Sequence, residues 1–337
     1  MNRHKRRRTV LRAALLCVTF LAIMLVGLRL IDRWQAERFQ EKPDSGTEAF
    51  MASGLVEWEG AQYKKVPAVT TLLIAGIDKT DGELEGVGTS RYRAGGQADF
   101  LMLLAIDHTN RRIHRLQIDR DAMVDVTVLS VYGQETGERL MQVCLSHSYG
   151  ANREDNARST VKAVRRLMDD LEIDGYYMVD YSAVSVLNDA LGGVTVTVPD
   201  DMTAVNPLWQ AGSSVTLQGS EAEAFVRARM AVGEGTNVER MRRQGEFMEN
   251  AIRLLQERVK QDSGFGLRLL SSLSASAATN FSDQQLAVEI QNSNTYEVLP
   301  LEYLEGEYRH GDTGYREFYV AEGSAEEWIM NHLYRKT

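Results

Sequence analysis

Cysteine, histidine and proline are scarce in this 337-residue chain, at two, six and five residues. Cys17 lies in an apolar stretch near the N-terminus and Cys144 far from it, so no disulfide forms within the body of the chain and no thiolate metal spacing exists. The histidines are scattered, which argues against a zinc site. No GxxxxGK[ST] loop, no dinucleotide fingerprint and no supported Ser/His/Asp triad occurs. Internal repeats and low-complexity tracts are also missing. Positive charge is in deficit, with 38 Lys and Arg against 47 Asp and Glu, a net charge of −9. Six of those cations sit in residues 1–12; without them 32 basic residues face 47 acidic ones, a net of −15. An acidic body excludes general nucleic-acid binding, so any anion site has to be a local concentration of arginine.

One long apolar run is present. Ala13 to Leu28 holds no charged residue, Arg12 and Arg29 flank it, and Arg3, Lys5, Arg6, Arg7 and Arg8 precede it. About 20 helical residues span a hydrocarbon core, and flanking arginines snorkel to the interfaces. The basic cap places the N-terminus in the cytoplasm and the domain outside the cell. A cleaved signal peptide is the alternative, but Leu28–Arg29–Leu30–Ile31–Asp32–Arg33 is not a small-residue cleavage site. The expected organisation is a basic segment at 1–9, a single transmembrane helix at 10–30, an extracellular stalk at 31–65 and one extracellular domain at 66–337.

Within that domain, strands are expected at Val69–Ile77, Phe100–Ile106, Ile113–Ile118, Tyr176–Val179, Val194–Val198, Tyr296–Leu301 and Glu317–Val320. Residues 80–98 read as a Gly-rich loop. Helices are expected at Leu140–Tyr149, Asn156–Leu171, Ser182–Leu191, Glu221–Arg229, Asn237–Val259, Gly264–Ser276, Ser282–Gln291 and Ser324–Leu333, with Ser282 and Ser324 as N-caps. The interleaving predicts an α/β fold with a mixed central sheet covered by helices.

Three clusters carry candidate chemistry. Asp78 ends one predicted strand and Asp99 begins the next, which puts two carboxylates at a sheet rim. They suit a Mg²⁺ that bridges phosphate oxygens, or a general base; ordinary turn aspartates have the same spacing. Asp119–Arg120–Asp121 holds an arginine between carboxylates, either a fork for a phosphate or a surface ion pair. The densest cluster is Arg227, Arg229, Arg240, Arg242 and Arg243, five arginines and no lysine. Arg240, Arg243 and Gln244 share one helix face, and the turn at Gly233–Gly235 can fold Arg227 and Arg229 back toward it. Such a set suits a ligand with several negative charges, such as a pyrophosphate.

These stretches resemble the LytR-CpsA-Psr proteins of Gram-positive bacteria. The matching segments are LLIAGID at 72–78, GGQADFLMLLAID at 95–107, LQIDRDAMVDV at 116–126, LSHSYG at 145–150, VDYSAVSVLNDALGGVTVTVP at 179–199, LQGSEAEAFVRAR at 217–229 and VERMRRQ at 238–244. The resemblance implies an α/β/α sandwich with a hydrophobic pocket for a polyprenyl chain. It also implies a membrane-anchored phosphotransferase that moves a glycopolymer, such as teichoic acid or capsular polysaccharide, from a polyprenyl-pyrophosphate carrier to peptidoglycan through a phosphodiester. Carried over by motif, Asp78 and Asp99 match the acidic pair associated with Mg²⁺ or Mn²⁺. Arg120 matches the arginine of the PRD stretch, and Arg227, Arg229, Arg240, Arg243 and Gln244 match pyrophosphate-binding positions. Three positions depart: Asp119 stands where the family often has Pro, Gln97 where it often has Arg, with Arg91 or Arg93 as possible substitutes, and Asn237 where an acid is common. Two other readings stay open, a polyprenyl-pyrophosphate pyrophosphatase and a non-catalytic membrane-anchored regulator of transcription.

Overall fold

The computed structural model describes residues 55–78, 95–129, 134–150, 152–229, 232–233, 235–311 and 314–337. The features below belong to the compact unit Glu57–Thr337, apart from the first two residues of the opening strand, Leu55 and Val56. The expected membrane span at 10–30 lies outside the described residues, as do Arg91 and Arg93. Among the described residues no helix is long and apolar enough to cross a membrane.

The strands are β1 (Leu55–Trp58), β2 (Ala61–Lys65), β3 (Val69–Asp78), β4 (Gln97–Asp107), β5 (Arg112–Gln117), β6 (Met123–Leu129), β7 (Glu135–Gln142), β8 (Gly175–Asp180), β9 (Thr195–Thr197), β10 (Ser214–Thr216), β11 (Ala277–Thr279), β12 (Glu297–Tyr303), β13 (Gly306–His310), β14 (Arg316–Val320) and β15 (Tyr334–Lys336). The helices are α1 (Arg153–Leu167), α2 (Ser182–Leu191), α3 (Glu221–Arg227), α4 (Asn237–Gln261), α5 (Phe265–Leu273), α6 (Asp283–Ser293) and α7 (Ser324–Leu333). The central sheet has the order β11-β8-β3-β4-β5-β12. It is mixed: β3 runs parallel to β8 and antiparallel to β4, and β5 runs parallel to β12.

The two faces of β4 sort its side chains. Leu101, Leu103 and Ala105 join a core with α1 and α7, while Phe100, Met102, Leu104 and Ile106 face the other side. That alternation breaks at one residue. Gly76 on β3 stands opposite Phe100 and Ile77 opposite Ala98, so Asp99 has no partner and is the extra residue of a β-bulge. Ala98 thereby returns to the α1 side. Bulges re-aim side chains and recur beside active sites, and here the bulge frees a carboxylate from a strand that is otherwise buried on both faces.

Most expected elements lie where the pattern puts them, and three do not. Leu140–Tyr149, expected as a helix, ends β7 and continues as the 3₁₀ segment Val143–Ser148; Leu140 is exposed opposite Asp125 on β6, so its apolarity signalled no buried face. Residues 61–65, expected in the stalk, form β2, paired antiparallel with the C-terminal β15, a pairing with no local signal because its partner is about 270 residues away. Ser324 is not the N-cap of α7, a place held by Gly323; its hydroxyl instead accepts from the Glu305 backbone N–H. Ser282 does cap α6, in a reciprocal box with Gln285.

Where β8 begins, Gly175 lies against the Phe281 ring, and a Cβ there would fall 1.8 Å from Phe281 Cε2. Gly175→Ala is therefore expected to lower the unfolding free energy by about 1–3 kcal/mol through overpacking. Urea denaturation of the purified protein checks this, and an unchanged midpoint would mean that the ring swings aside at no cost.

Candidate active site

Helix α4 begins with a capping box in which Thr236 and Glu239 satisfy each other's backbone N–H groups. Its first two turns carry Asn237, Arg240, Arg243 and Gln244, all buried, so the shared face expected from spacing is the face turned inward. Arg242 lies on the outer face and pairs with Asp200. Before the helix the chain folds back through Gly233 and Gly235, both at positive φ, where glycine avoids the Cβ clash. Arg229 Nε donates to the Gly235 carbonyl across this turn (3.1 Å).

The centre is Asp99. One of its oxygens accepts from Arg120, the other from Arg240 Nη1 (2.7 Å). Arg120 also donates to Gln97 Oε1 (2.6 Å) and Cys144 Sγ (3.0 Å), and its Nε lies 3.4 Å from Asp121. Burial foremost pushes the Cys144 thiol up to about 12, with Arg120 opposing. A thiol at that value is neutral near pH 7, so Asp99 and Asp121 are the charges that hold Arg120. Burial opposes Arg120's own charge, while Cys144, Asp99 and Asp121 together raise its pKa above the ordinary guanidinium value. Arg243 shows the reverse balance: burial lowers its pKa although Asp200 Oδ2 is 3.2 Å away. Arg243 also donates to the Ala228 carbonyl. The Nε atoms of Arg120, Arg240 and Arg243 are buried and make no hydrogen bond. Arg120 Nε still faces Asp121, but the Nε groups of Arg240 and Arg243 have no partner, and unpaired buried N–H groups are costly unless a ligand uses them.

Asp78 sits at the end of β3. Arg227, at the end of α3, donates to it (2.7 Å) and to Glu223 (2.8 Å), with its guanidinium 5.3 Å from the centroid of Tyr181. Burial raises the Asp78 pKa; Arg227 opposes that and Asp99 adds to it. Gln244 Nε2 donates to Tyr181 Oη (3.2 Å) and the Val226 carbonyl (3.4 Å). Gly76, Tyr181, Val226 and Gln244 belong at the same time to the lining of a cavity of about 250 Å³ between the sheet and helices α2, α4, α5 and α6. Its remaining wall is chiefly apolar, with Leu72, Ile74, Phe100 and Phe247 among it. The cavity and the arginine cluster thus share residues.

Of the residues expected from sequence, Asp99, Arg120 and Arg240 form one contact group and Asp78, Arg227 and Gln244, through Tyr181, a second; Arg243 is held by Asp200 and the Ala228 carbonyl, and Arg229 holds the turn before α4. Sequence reasoning missed Tyr181, Asp200 and Cys144 as their partners, and Tyr308, which reaches in from β13. Each lies in a different segment; Tyr181 falls inside the matched stretch 179–199, but no spacing marks any of the four as a partner of the cluster. Among the described residues, no group of three or more His, Cys, Asp or Glu converges on a point that could hold a metal.

The chain is 25% identical over 183 residues to the polyisoprenyl-teichoic acid–peptidoglycan teichoic acid transferase TagU of Halalkalibacterium halodurans, a match covering 54% of this chain and 52% of that one. It thus spans about half the length of that relative. The crystal structure of Bacillus subtilis TagV superposes with a TM-score of 0.59 at 20% identity, over 79% of this chain and 97% of that one. The structure of TagT bound to LI-WTA gives 0.57 at 20% identity, over 79% and 90%. Both have the mixed α/β architecture found here. With its matched region running from residue 43 to residue 327, the chain belongs to the LytR_cpsA_psr family.

Proposed function

We propose that the protein is a phosphotransferase that takes a glycopolymer from a polyprenyl-pyrophosphate carrier and joins it to peptidoglycan through a phosphodiester. The observation that carries this reading is an apolar cavity that meets, at Tyr181 and Gln244, a set of buried arginines of which Arg240 and Arg243 have an Nε without a partner. A lipid pyrophosphate has the matching halves, an apolar chain and a compact, multiply charged head. The transferase name of TagU supports the reading at the level of class. The apolar run at 10–30 would keep the domain on the outer face of the cell membrane, where such a carrier presents its head group.

In this mechanism the pyrophosphate takes the donors of Arg120, Arg227, Arg240 and Arg243, and the N-terminus of α4 adds its positive dipole end. The acceptor hydroxyl oxygen bonds to the glycan-side phosphorus, the P–O bond to the lipid-side phosphate breaks, and polyprenyl monophosphate leaves. Asp78 receives the hydroxyl proton; its raised pKa brings it closer to the working range of a general base. Asp99 keeps Arg120 and Arg240 in place. Electrostatic stabilisation by the forks supplies most of the acceleration.

The donor chemistry also suits Mg²⁺ or Mn²⁺, which such sites hold through one or two carboxylates plus substrate phosphates. Asp78 and Asp99 would be those carboxylates; burial foremost raises the Asp78 pKa and the negative charge of Asp99 adds to it, a crowding that a cation would relieve. Asp99's oxygens are engaged by Arg120 and Arg240, which leaves Asp78 as the more exposed of the two ligands. When bound, the ion would neutralise charge on the phosphate oxygens.

Arg227 is the most useful residue to change, because it is 39% exposed and its loss spares the core. Arg227→Ala is expected to cut transfer from lipid-linked glycan to peptidoglycan about 10³-fold, the scale of a phosphate-facing arginine, with folding unchanged. Undiminished transfer would refute the assignment, and phosphate release without acceptor would instead favour hydrolysis of the carrier. A cavity-filling change, Ile74→Trp, is expected to raise KM for a long-chain carrier at least tenfold while sparing a short water-soluble analogue. Equal effects on both substrates would remove the cavity from the account.

A further inference from the structure

Asp119 is a buried carboxylate that the mechanism above does not use. It is 7% exposed, and among the described residues no cation lies within ion-pair distance of it. Three donors surround it: Oδ1 accepts from Asn237 Nδ2 (2.7 Å) and the Asp121 backbone N–H (2.8 Å), and Oδ2 accepts from the Tyr308 hydroxyl. A buried charge without a cation is expensive, so its hydrogen bonds have to serve some purpose.

The chain of contacts shows which. Asn237 is 1% exposed, and its other amide atom, Oδ1, accepts from Arg240 Nη2 (2.8 Å). An asparagine amide has two faces of opposite character, and only its surroundings decide which faces a neighbour. Arg240 offers donors alone, so Asn237 has to present its carbonyl there. The carboxylate of Asp119 accepts alone, and it forces the Nδ2 side toward itself. Turning the amide over would set donor against donor at Arg240 and acceptor against acceptor at Asp119. Arg240, 4% exposed, is thus fixed from two sides, by Asp99 at Nη1 and by the Asp119–Asn237 pair at Nη2, which leaves its Nε without a partner.

We propose that Asp119, acting through Asn237, is a positioning residue that sets the plane of the Arg240 guanidinium for its anionic ligand, with Tyr308 of β13 holding Asp119. The inference rests on the reading of this cluster as a pyrophosphate site. Two further features fit it. Tyr308 is clamped by Arg316, whose guanidinium lies 4.1 Å from its ring centroid, and the strand carrying Arg316 is tied to the same loop through Phe318 N–H to Asp121 O (2.9 Å). The hydroxyl's pKa is raised by burial and by Asp119, so it remains a donor.

The test uses full-length protein in detergent and inorganic pyrophosphate as the probe, by titration calorimetry, beside the transfer assay. Asp119→Ala removes a negative charge, so simple electrostatics predicts tighter pyrophosphate binding. Loss of Arg240 positioning predicts the opposite, about tenfold weaker binding, the scale of one charge-assisted hydrogen bond. Asn237→Asp sets two carboxylates face to face and is also expected to weaken binding at least tenfold. The swap Asp119→Asn with Asn237→Asp restores the donor–acceptor order toward Arg240, with Asn at 119 donating to Asp at 237, which accepts from Arg240, at the loss of the bond from the Asp121 backbone N–H. It is expected to return binding and kcat to within about threefold of the parent. Melting temperatures separate positioning from folding, because a structural role alone would make affinity follow stability and would leave the swap unrescued. Asp119→Ala binding as tightly as the parent at unchanged melting temperature, or a swap no better than Asn237→Asp, would overturn the proposal. If the pyrophosphate pattern holds while the parent transfers no glycan, the positioning role stands and the transferase reading fails.

Discussion

The site hangs on one carboxylate shared by two guanidiniums. Asp99 takes Arg120 on one oxygen and Arg240 on the other. That contact joins the loop after β5 to the first turn of α4, two segments about 120 residues apart. One negative charge between two positive ones leaves a surplus of positive charge, and the surplus is buried. The protein has to relieve it with further acceptors, which it does with Gln97, Asp121 and Asn237. Much of the local architecture follows: a bulge that turns Asp99 out of its pleat, a capped helix start, and a neutral thiol at Cys144 that accepts from Arg120 without cancelling its charge.

The central sheet separates this work by face. On one side the side chains of β3 and β4 pack against α1 and α7 in a closed core. On the other side β3, β4 and β8 meet α2, α4, α5 and α6 around a cavity instead of filling the space. A dry apolar cavity costs the fold dispersion contacts that a packed core would have made. That cost is offset only when something apolar occupies it, and a polyprenyl chain is the occupant proposed here. Gln244 stands where the two regimes meet, with its amide on Tyr181 and Val226 at the cavity wall and its carbonyl accepting from Gln117.

Much of this was legible in the sequence. The apolar runs of β3 and β4 read as buried strands, Ser182–Leu191 was bounded correctly by Gly192, and the spacing of Arg240, Arg243 and Gln244 gave the inward face of α4. What escaped was non-local. The pairing of β2 with β15 and the reach of Tyr308 to Asp119 depend on residues far apart in the chain. The bulge at Asp99 escaped for another reason: QADFLMLLAID is apolar on both faces, so the period that would expose a slip of one residue is hidden. The resemblance marked Asp119, Gln97 and Asn237 as departures. It could not show that Asp119 and Asn237 bond to each other, or that Gln97 serves as an acceptor for Arg120.

These contacts bear on selectivity. Arg227 is already held by Asp78 and Glu223, Arg243 by Asp200, and Arg120 and Arg240 by Asp99, so the cluster is not a reservoir of free positive charge. An incoming anion has to exchange with carboxylates, and the gain is the difference between two strong pairs instead of the full strength of one. Small inorganic anions gain only that difference. A ligand whose apolar part fills the adjoining cavity adds roughly 25 cal/mol for each Å² of apolar surface removed from water. Affinity in such a site comes mainly from the tail, while the arginines decide where the phosphorus sits. That division suits a reaction in which the lipid is only a carrier: once the P–O bond breaks, the head loses charge and contacts while the tail keeps its own, so departure of the lipid monophosphate back to the membrane becomes a natural candidate for the slow step.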